Sequence, residues 1–313
     1  MAEVHQKGSS VIEQASSPLK TLWPHLSDRF SGRALVAGLA IVALLVWVAA
    51  FSLPDGKLHV TFLDVGQGDA IFIQTPQGQK ILVDGGPSPT LLLAALGRRM
   101  PFWDRTIDLV VLTHPHDDHL NGLIPVLERY QTKAFLDGGQ KHPTPAYTRC
   151  LELVREKSIP YRLARAGMQI QLGRTLQIKV LHPQNELLSG TRSDVNNNSI
   201  VLRLVYGRIS FLLPGDVEEA AEAVLLSHPD DLGSTVLKVP HHGSDTSLNL
   251  RFLEAVHPQL AIIQVGADNK FGQPAPATLA RLAEYGIKVL RTDQNGPVEV
   301  ISDGERYWLK TER

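Results

Sequence analysis

Three imidazoles and two carboxylates fall within six consecutive positions, His114-Pro115-His116-Asp117-Asp118-His119. Neutral imidazole nitrogens and ionised carboxylates are the usual ligands of zinc and similar divalent ions. His114 and His116, two apart, can aim at one ion, and the adjacent Asp118 and His119 at a second. Pro115 disfavours helix at the residue before it, so the imidazoles do not simply line a helix face. A solvated polar turn or a helix-capping histidine is the bland alternative. Three His and an Asp at this spacing fit it poorly.

Two more stretches carry ligand chemistry. Asp216 ends the apolar run Ile209-Ser210-Phe211-Leu212-Leu213 through Pro214-Gly215. A carboxylate there can bridge two metals, or it can cap the helix predicted from Glu218, since Asp is favoured at that position. His241 and His242 follow the run Thr235 to Val239. They read as one ligand plus a second imidazole for support or proton transfer, or as a surface pair. Asp84-Gly85-Gly86 after Ile81-Leu82-Val83 is either a turn or a place where backbone passes close to a site.

These residues need elements to bring them together. Ile107 to Leu112, rich in β-branched residues, predicts a buried strand leading into the His cluster, and Leu120 to Tyr130 predicts the helix after it. Strands are expected at Leu58–Leu63, Ala70–Thr75, Gln79–Val83, Thr132–Leu136, Gln169–Leu172, Thr175–Leu181, Ser199–Val205, Arg208–Leu213, Thr235–Val239, Leu260–Val265 and Lys288–Leu290, with two more at the terminus. Helices are expected at Pro89–Arg99, Pro145–Ser158, Glu218–Leu226, Leu248–Val256 and Pro276–Tyr285. Each ligand cluster then sits at the C-terminal end of a buried strand, the edge where open α/β sheets place their ligands. Two β-rich halves, each followed by helices, predict an α/β (α+β) protein built as a four-layer αβ/βα sandwich, with the site at the edge its sheets share.

The chain has 313 residues, 43% hydrophobic and 20% charged, with a net charge of -1. That balance shows no global bias toward nucleic acid, although a local basic patch stays open. The single cysteine, Cys150, excludes an intrachain disulfide and reads as a small buried hydrophobe. Residues 1–33 form a polar tail, expected to be cytoplasmic. Residues 34–53, ALVAGLAIVALLVWVAAFSL, carry no charge and have the length of a transmembrane helix. A cleaved signal peptide is the rival reading. Lys20, Arg29 and Arg33 before the segment, against Lys57 after it, predict a catalytic domain on the outer face of the cell membrane.

The pattern H-x-H-x-D-H resembles the metallo-β-lactamase superfamily. FLDVGQGDA, ILVDGG, HPHDDH, NNNSIVLRL, FLLPGD and LKVPHHGS together resemble its branch in the competence protein ComEC, over residues 57–313. The resemblance implies a hydrolase with two divalent ions, zinc or manganese. His114, His116, Asp118, His119 and Asp216 would be ligands, with His241 or His242 completing the second site. Asp84 would orient a ligand imidazole. Asn197 and Ser199 stand where many members of the superfamily carry another ligand His. Gln273 stands where this branch often has His.

By that resemblance two ions would lower the pKa of a shared water to roughly neutral. Asp118 would orient it, and whichever of His241 and His242 is not a ligand would protonate the leaving group. The substrate implied is single-stranded DNA during uptake, beside a separate channel protein and held by one membrane helix. Arg192, Arg203, Lys238 and Lys270 are candidates for the basic track that nucleic acid requires. A small-molecule hydrolase acting on a thioester, lactone or lactam is the first alternative, and a non-catalytic DNA- or channel-binding domain the second. Oligomeric state is not legible.

Overall fold

The computed structural model describes residues 32–51 and 53–313. The chain divides between Leu53 and Pro54 into two units. In the first, helix α1 runs Gly32–Phe51. The polar tail expected over 1–33 lies, apart from its last two residues, outside the described residues.

Among the described residues no helix is both long and apolar enough to cross a membrane. Arg33 charges the first turn of α1. The transmembrane helix expected over 34–53 is therefore corrected. With it go the single-pass anchor, the membrane as a partner and the placement on the outer face of the cell membrane.

The second unit holds two sheets. β1 (Leu58–Phe62), β2 (Ile71–Gln74) and β3 (Lys80–Val83) form an antiparallel meander. β4 (Thr106–Ile107) leads into β5 (Leu109–Leu112), while β6 (Gln131–Thr132), paired with β4, leads into β7 (Phe135–Asp137). β5, β7 and β8 (Tyr161–Leu163) continue the sheet from β3 in parallel. β9 (Gln169–Leu172), β10 (Leu176–His182), β11 (Val201–Tyr206) and β12 (Ile209–Leu213) make a second meander. β13 (Val236–Lys238), β14 (Leu260–Ile263) and β15 (Lys288–Arg291) extend it in parallel. β16 (Val298–Ser302) and β17 (Tyr307–Thr311) return to the first sheet beside β1.

Alternation along the strands divides the core into the three spaces of a four-layer αβ/βα sandwich. Ile71 and Ile73 face Ile178, Leu202 and Phe211 between the sheets, while Phe72 points the other way. Phe72, Leu82 and Phe135 pack under helices α2 (Pro89–Arg99), α4 (Leu123–Arg129) and α5 (Pro145–Glu156), through Leu92, Leu127 and Val154; α3 (Asp117–Leu120) lies between α2 and α4 in the chain. Leu212, Leu237 and Ala261 pack under α7 (Glu219–Leu225), α8 (Leu250–Val256) and α9 (Pro276–Glu284); α6 (Asp194–Asn197) precedes them and α10 (Thr292–Asn295) follows. Each such buried aliphatic or aromatic side chain contributes about 1.5–3 kcal/mol.

Two local expectations change. The helix predicted over Leu120–Tyr130 breaks at Asn121-Gly122 into α3 and α4. A Cβ at Gly122 would overlap the Gly85 carbonyl, and Gly122 N donates to Gly86 O at 2.9 Å. The Asp-Gly-Gly turn after β3 thus packs into the break. The strand predicted over Thr132–Leu136 is the end of β6 followed by β7, because its first residues pair with β4 instead.

Candidate metal centre

The parallel strands of both sheets end at one edge. β3 ends at Asp84, β5 at the His cluster, β12 at Asp216 and β13 at the His241-His242 turn. Asp118, His119, Asp216 and His242 converge so that one ligand atom from each lies within 4.8 Å of the others. His119 Nε2 is 3.2 Å from Asp216 Oδ2 and 3.8 Å from Asp118 Oδ2. His242 Nε2 is 3.2 Å from Asp118 Oδ2 and 3.3 Å from Asp216 Oδ2. Donors that each sit about 2.0–2.2 Å from a tetrahedral ion are roughly 3.3–3.6 Å apart. The donor types and spacing therefore fit a divalent ion. His114 Nε2 also lies 3.9 Å from Asp216 Oδ2, and His116 Nδ1 3.1 Å from His114 Nε2.

Hydrogen bonds turn the right nitrogens inward. Asp84 accepts from Thr113 N at 2.7 Å and from Thr113 Oγ1 at 2.6 Å, and lies 2.9 Å from His119 Nδ1. His119 Nδ1 carries the proton for that contact, which leaves Nε2 to the cluster. Thr113 spends its hydroxyl proton on Asp84, so it accepts from His114 Nδ1 at 3.1 Å. His242 Nδ1 donates to the Gln264 carbonyl at 3.0 Å. Ser199 Oγ also lies 3.2 Å from His114 Nδ1 and accepts from Asp216 N at 3.3 Å.

A second group, Asp69, Asp84 and His119, is also close enough to hold an ion. It shares His119 with the first. Lys238 already supplies a cation there: its buried ammonium pairs with Asp69 Oδ2, and also with Asp216 Oδ1 at 3.3 Å.

The charges of the site act on one another. Burial opposes ionisation of Asp216, yet His242, His119 and Lys238 hold it well below the usual carboxylate range. Burial likewise opposes charge on His119, but Asp216, Asp118 and Asp84 carry its imidazole well above the usual value. His114 moves the other way, held well below by burial and by His119 beside it. Backbone strain marks the same place. Asp84, His241 and His242 have φ of 59°, 49° and 54°, a region costing non-glycine residues about 1–3 kcal/mol each.

Three site residues sit differently from their neighbours in sequence. His241 turns its Nδ1 to Glu218 Oε1 and Thr246 Oγ1, each 3.2 Å away. Glu218 and Thr246 also line a groove of about 860 Å³ with Arg192, Asn249 and Arg281. Asn197 is directed at a helix rather than the cluster: its Oδ1 accepts from Glu218 N at 3.2 Å and Ala221 N at 3.0 Å, capping α7. Gln273 links Gln67 Nε2, at 2.7 Å, to the His241 carbonyl, at 3.2 Å.

Asp69 and Glu218 escaped the sequence reading as site residues, and Lys238 was read there only as a cation for phosphate. A lysine inside the apolar run Val236-Leu237-Lys238-Val239 was the available signal, because a buried charge needs an internal partner. The basic track expected of a DNA-binding surface is corrected for the same reason. Lys238 is fully buried on Asp69 and Asp216, and Arg203 gives Nε and Nη2 to the Gly233 carbonyl at 3.0 and 2.6 Å. Two of the four cations named for phosphate are thus spent inside the protein, and the membrane-held nuclease with single-stranded DNA as partner is withdrawn.

Residues 63–266 match the metallo-beta-lactamase superfamily. The chain belongs to that superfamily and is a metal-dependent hydrolase. Within it the chain is related to competence-associated proteins. It is 29% identical over 290 residues to ComE operon protein 3 of Bacillus subtilis, covering 88% of this chain and 37% of that one. It is 30% identical over 246 residues to Recombination protein 2 of Haemophilus influenzae, covering 77% of this chain and 28% of that one. The chain thus spans about a third of the length of these relatives. Among solved structures it resembles the metallo hydrolase Igni18 of Ignicoccus hospitalis, with a TM-score of 0.51 at 16% identity over 77% of this chain and 98% of that one. The metallo-beta-lactamase fold protein YhfI of Bacillus subtilis gives 0.51 at 11% over 81% of this chain and 100% of that one. Both show the fold.

Proposed function

We propose that this chain hydrolyses a small acyl substrate, a thioester, lactone or lactam, with two divalent ions, zinc or manganese. The convergence of Asp118, His119, Asp216 and His242 at ligand spacing carries this reading. One ion would be held by His114, His116 and Asp216, the other by Asp118, His119, His242 and Asp216. Such ions would polarise a carbonyl and lower the pKa of water at the site.

The chain's own groups supply the rest. Asp118, whose side chain is 34% exposed, is the carboxylate of the cluster open to solvent and accepts a proton from attacking water. His241, held through Nδ1 by Glu218 and Thr246, gives its own Nε2 proton to the leaving atom and takes another from solvent, to which Asp118 releases the proton it accepted. Asp84 and Ser199 hold the imidazoles of His119 and His114 in place. The groove of about 860 Å³ beside His241 has the size of a small-molecule site. Lys238, buried and spent on Asp69 and Asp216, is withheld from a polyanion at this edge.

The test is an assay of the metal-loaded chain on thioester, lactone and β-lactam panels, with a phosphodiester as control. Turnover of one acyl class, lost on chelation and restored by zinc or manganese, is expected. Turnover confined to the phosphodiester would overturn the reading.

A further inference from the structure

We propose that Lys238 is a positioning residue that makes Asp216 offer a single oxygen to the metal centre. This rests on the two-ion reading above. Lys238 ends β13, a strand paired in parallel on both sides by β12 and β14, and its side chain is fully buried. An ammonium has three donors, and three acceptors meet it here: Gly215 O at 3.0 Å, Asp216 Oδ1 at 3.3 Å and Asp69 Oδ2. All its donors are spent, so it does not reach for substrate. A buried charge is costly unless paired, and packing alone would be served by an apolar side chain.

The consequence lies in the other oxygen. Asp216 Oδ2 is 3.2 Å from His119 Nε2, 3.3 Å from His242 Nε2 and 3.9 Å from His114 Nε2. A free carboxylate can rotate to give one oxygen to each of two ions. With Oδ1 held by Lys238, Oδ2 alone faces both sets of imidazoles. The same ammonium fixes Asp69, so one cation steadies a bridging carboxylate and a second carboxylate whose Oδ1 lies 3.3 Å from His242 Nδ1.

The test removes the charge and keeps an unbranched side chain, with Lys238→Met in the full chain and Mn²⁺ alone as the probe, read by titration calorimetry and electron paramagnetic resonance. The unaltered chain is expected to bind a manganese pair with an exchange-coupled spectrum. The variant is expected to bind the second ion about 10–100-fold more weakly and to lose the coupled spectrum. A lysine with a merely structural role would lower the melting temperature and leave that spectrum unchanged. A folded Lys238→Met chain with both affinities and the spectrum intact overturns the proposal. Failure of the unaltered chain to bind a pair overturns the two-ion reading and this inference with it. A metal-loaded crystal structure of the unaltered chain is independent of the variant's folding. Coordination through Asp216 Oδ2 alone supports the proposal, and an ion on Oδ1 overturns it.

Discussion

Asp84 Oδ2 lies 2.9 Å from His119 Nδ1, and that contact decides which nitrogen of His119 faces the cluster. Asp84→Asn keeps the shape and an oxygen for Thr113, and Asn tolerates the positive φ of 59° there. It removes the charge that backs the imidazole. Affinity for zinc is expected to fall about 10–100-fold with folding cooperativity preserved. Calorimetric titration of the two proteins side by side checks this. Equal affinity would mean that Asp84 serves the turn alone.

Asp216 and Asn197 exchange the roles that their positions suggest. The residue ahead of α7 is Glu218, whose side chain makes no capping bond, while Asn197 caps that helix from across the chain. Asn197→Ala is therefore expected to cost about 0.5–2 kcal/mol of stability and leave metal stoichiometry unchanged. Asp216→Asn is expected to lose metal, and stability with it, because it takes from the buried Lys238 one of its two carboxylate partners. Chemical denaturation and metal analysis on both variants separate the roles, and the reverse pattern would restore Asp216 as a cap.

Glu222 gives a pH dependence away from the centre. Its carboxylate is buried against Leu248 N, Asn249 N and Asn249 Nδ2, with Arg281 and Glu219 the charges nearest to it. Burial, only partly offset by those donors and Arg281, pushes its pKa from 4.5 up to about 7. The folded chain then binds the extra proton between these values. Its stabilising share is complete below about pH 4.5 and is lost as pH rises through about 7. The loss is on the order of 3 kcal/mol. Urea unfolding below and above this window should show the decline, and Glu222→Gln should flatten it. An unchanged slope in the variant would assign the decline to other groups.

Gly68 has φ +148°, and a Cβ there would overlap the Asp118 carbonyl, to which Asp69 N also donates at 3.2 Å. The turn after β1 thus packs directly on the helix that carries Asp118. Gly68→Ala is expected to cost at least about 1–3 kcal/mol and to weaken metal binding together with stability. A melting curve and metal titration matching the unaltered chain would show that the turn relaxes freely.

Period-two alternation and turn residues made the strands legible, because they act within a few residues of one another. The same local signals placed Asp84, His114 to His119, Asp216 and His241-His242 at strand ends. What alternation could not reveal depends on distant partners. Lys238 meets Asp69 across the two halves of the chain, and Asn197 caps a helix that starts in a later segment. The choice between His241 and His242 was equally hidden, since it turns on Glu218 and Gln264. The anchor expected over 34–53 was argued from length and composition, and no described helix meets that demand.

The central claim is that this edge holds two ions sharing Asp216. Titration of the metal-stripped chain with zinc, repeated on Asp216→Asn, tests it most directly. Two ions per unaltered chain are predicted, with both weakened together in the variant. One ion or none in the unaltered chain, or an undiminished pair in Asp216→Asn, would contradict it.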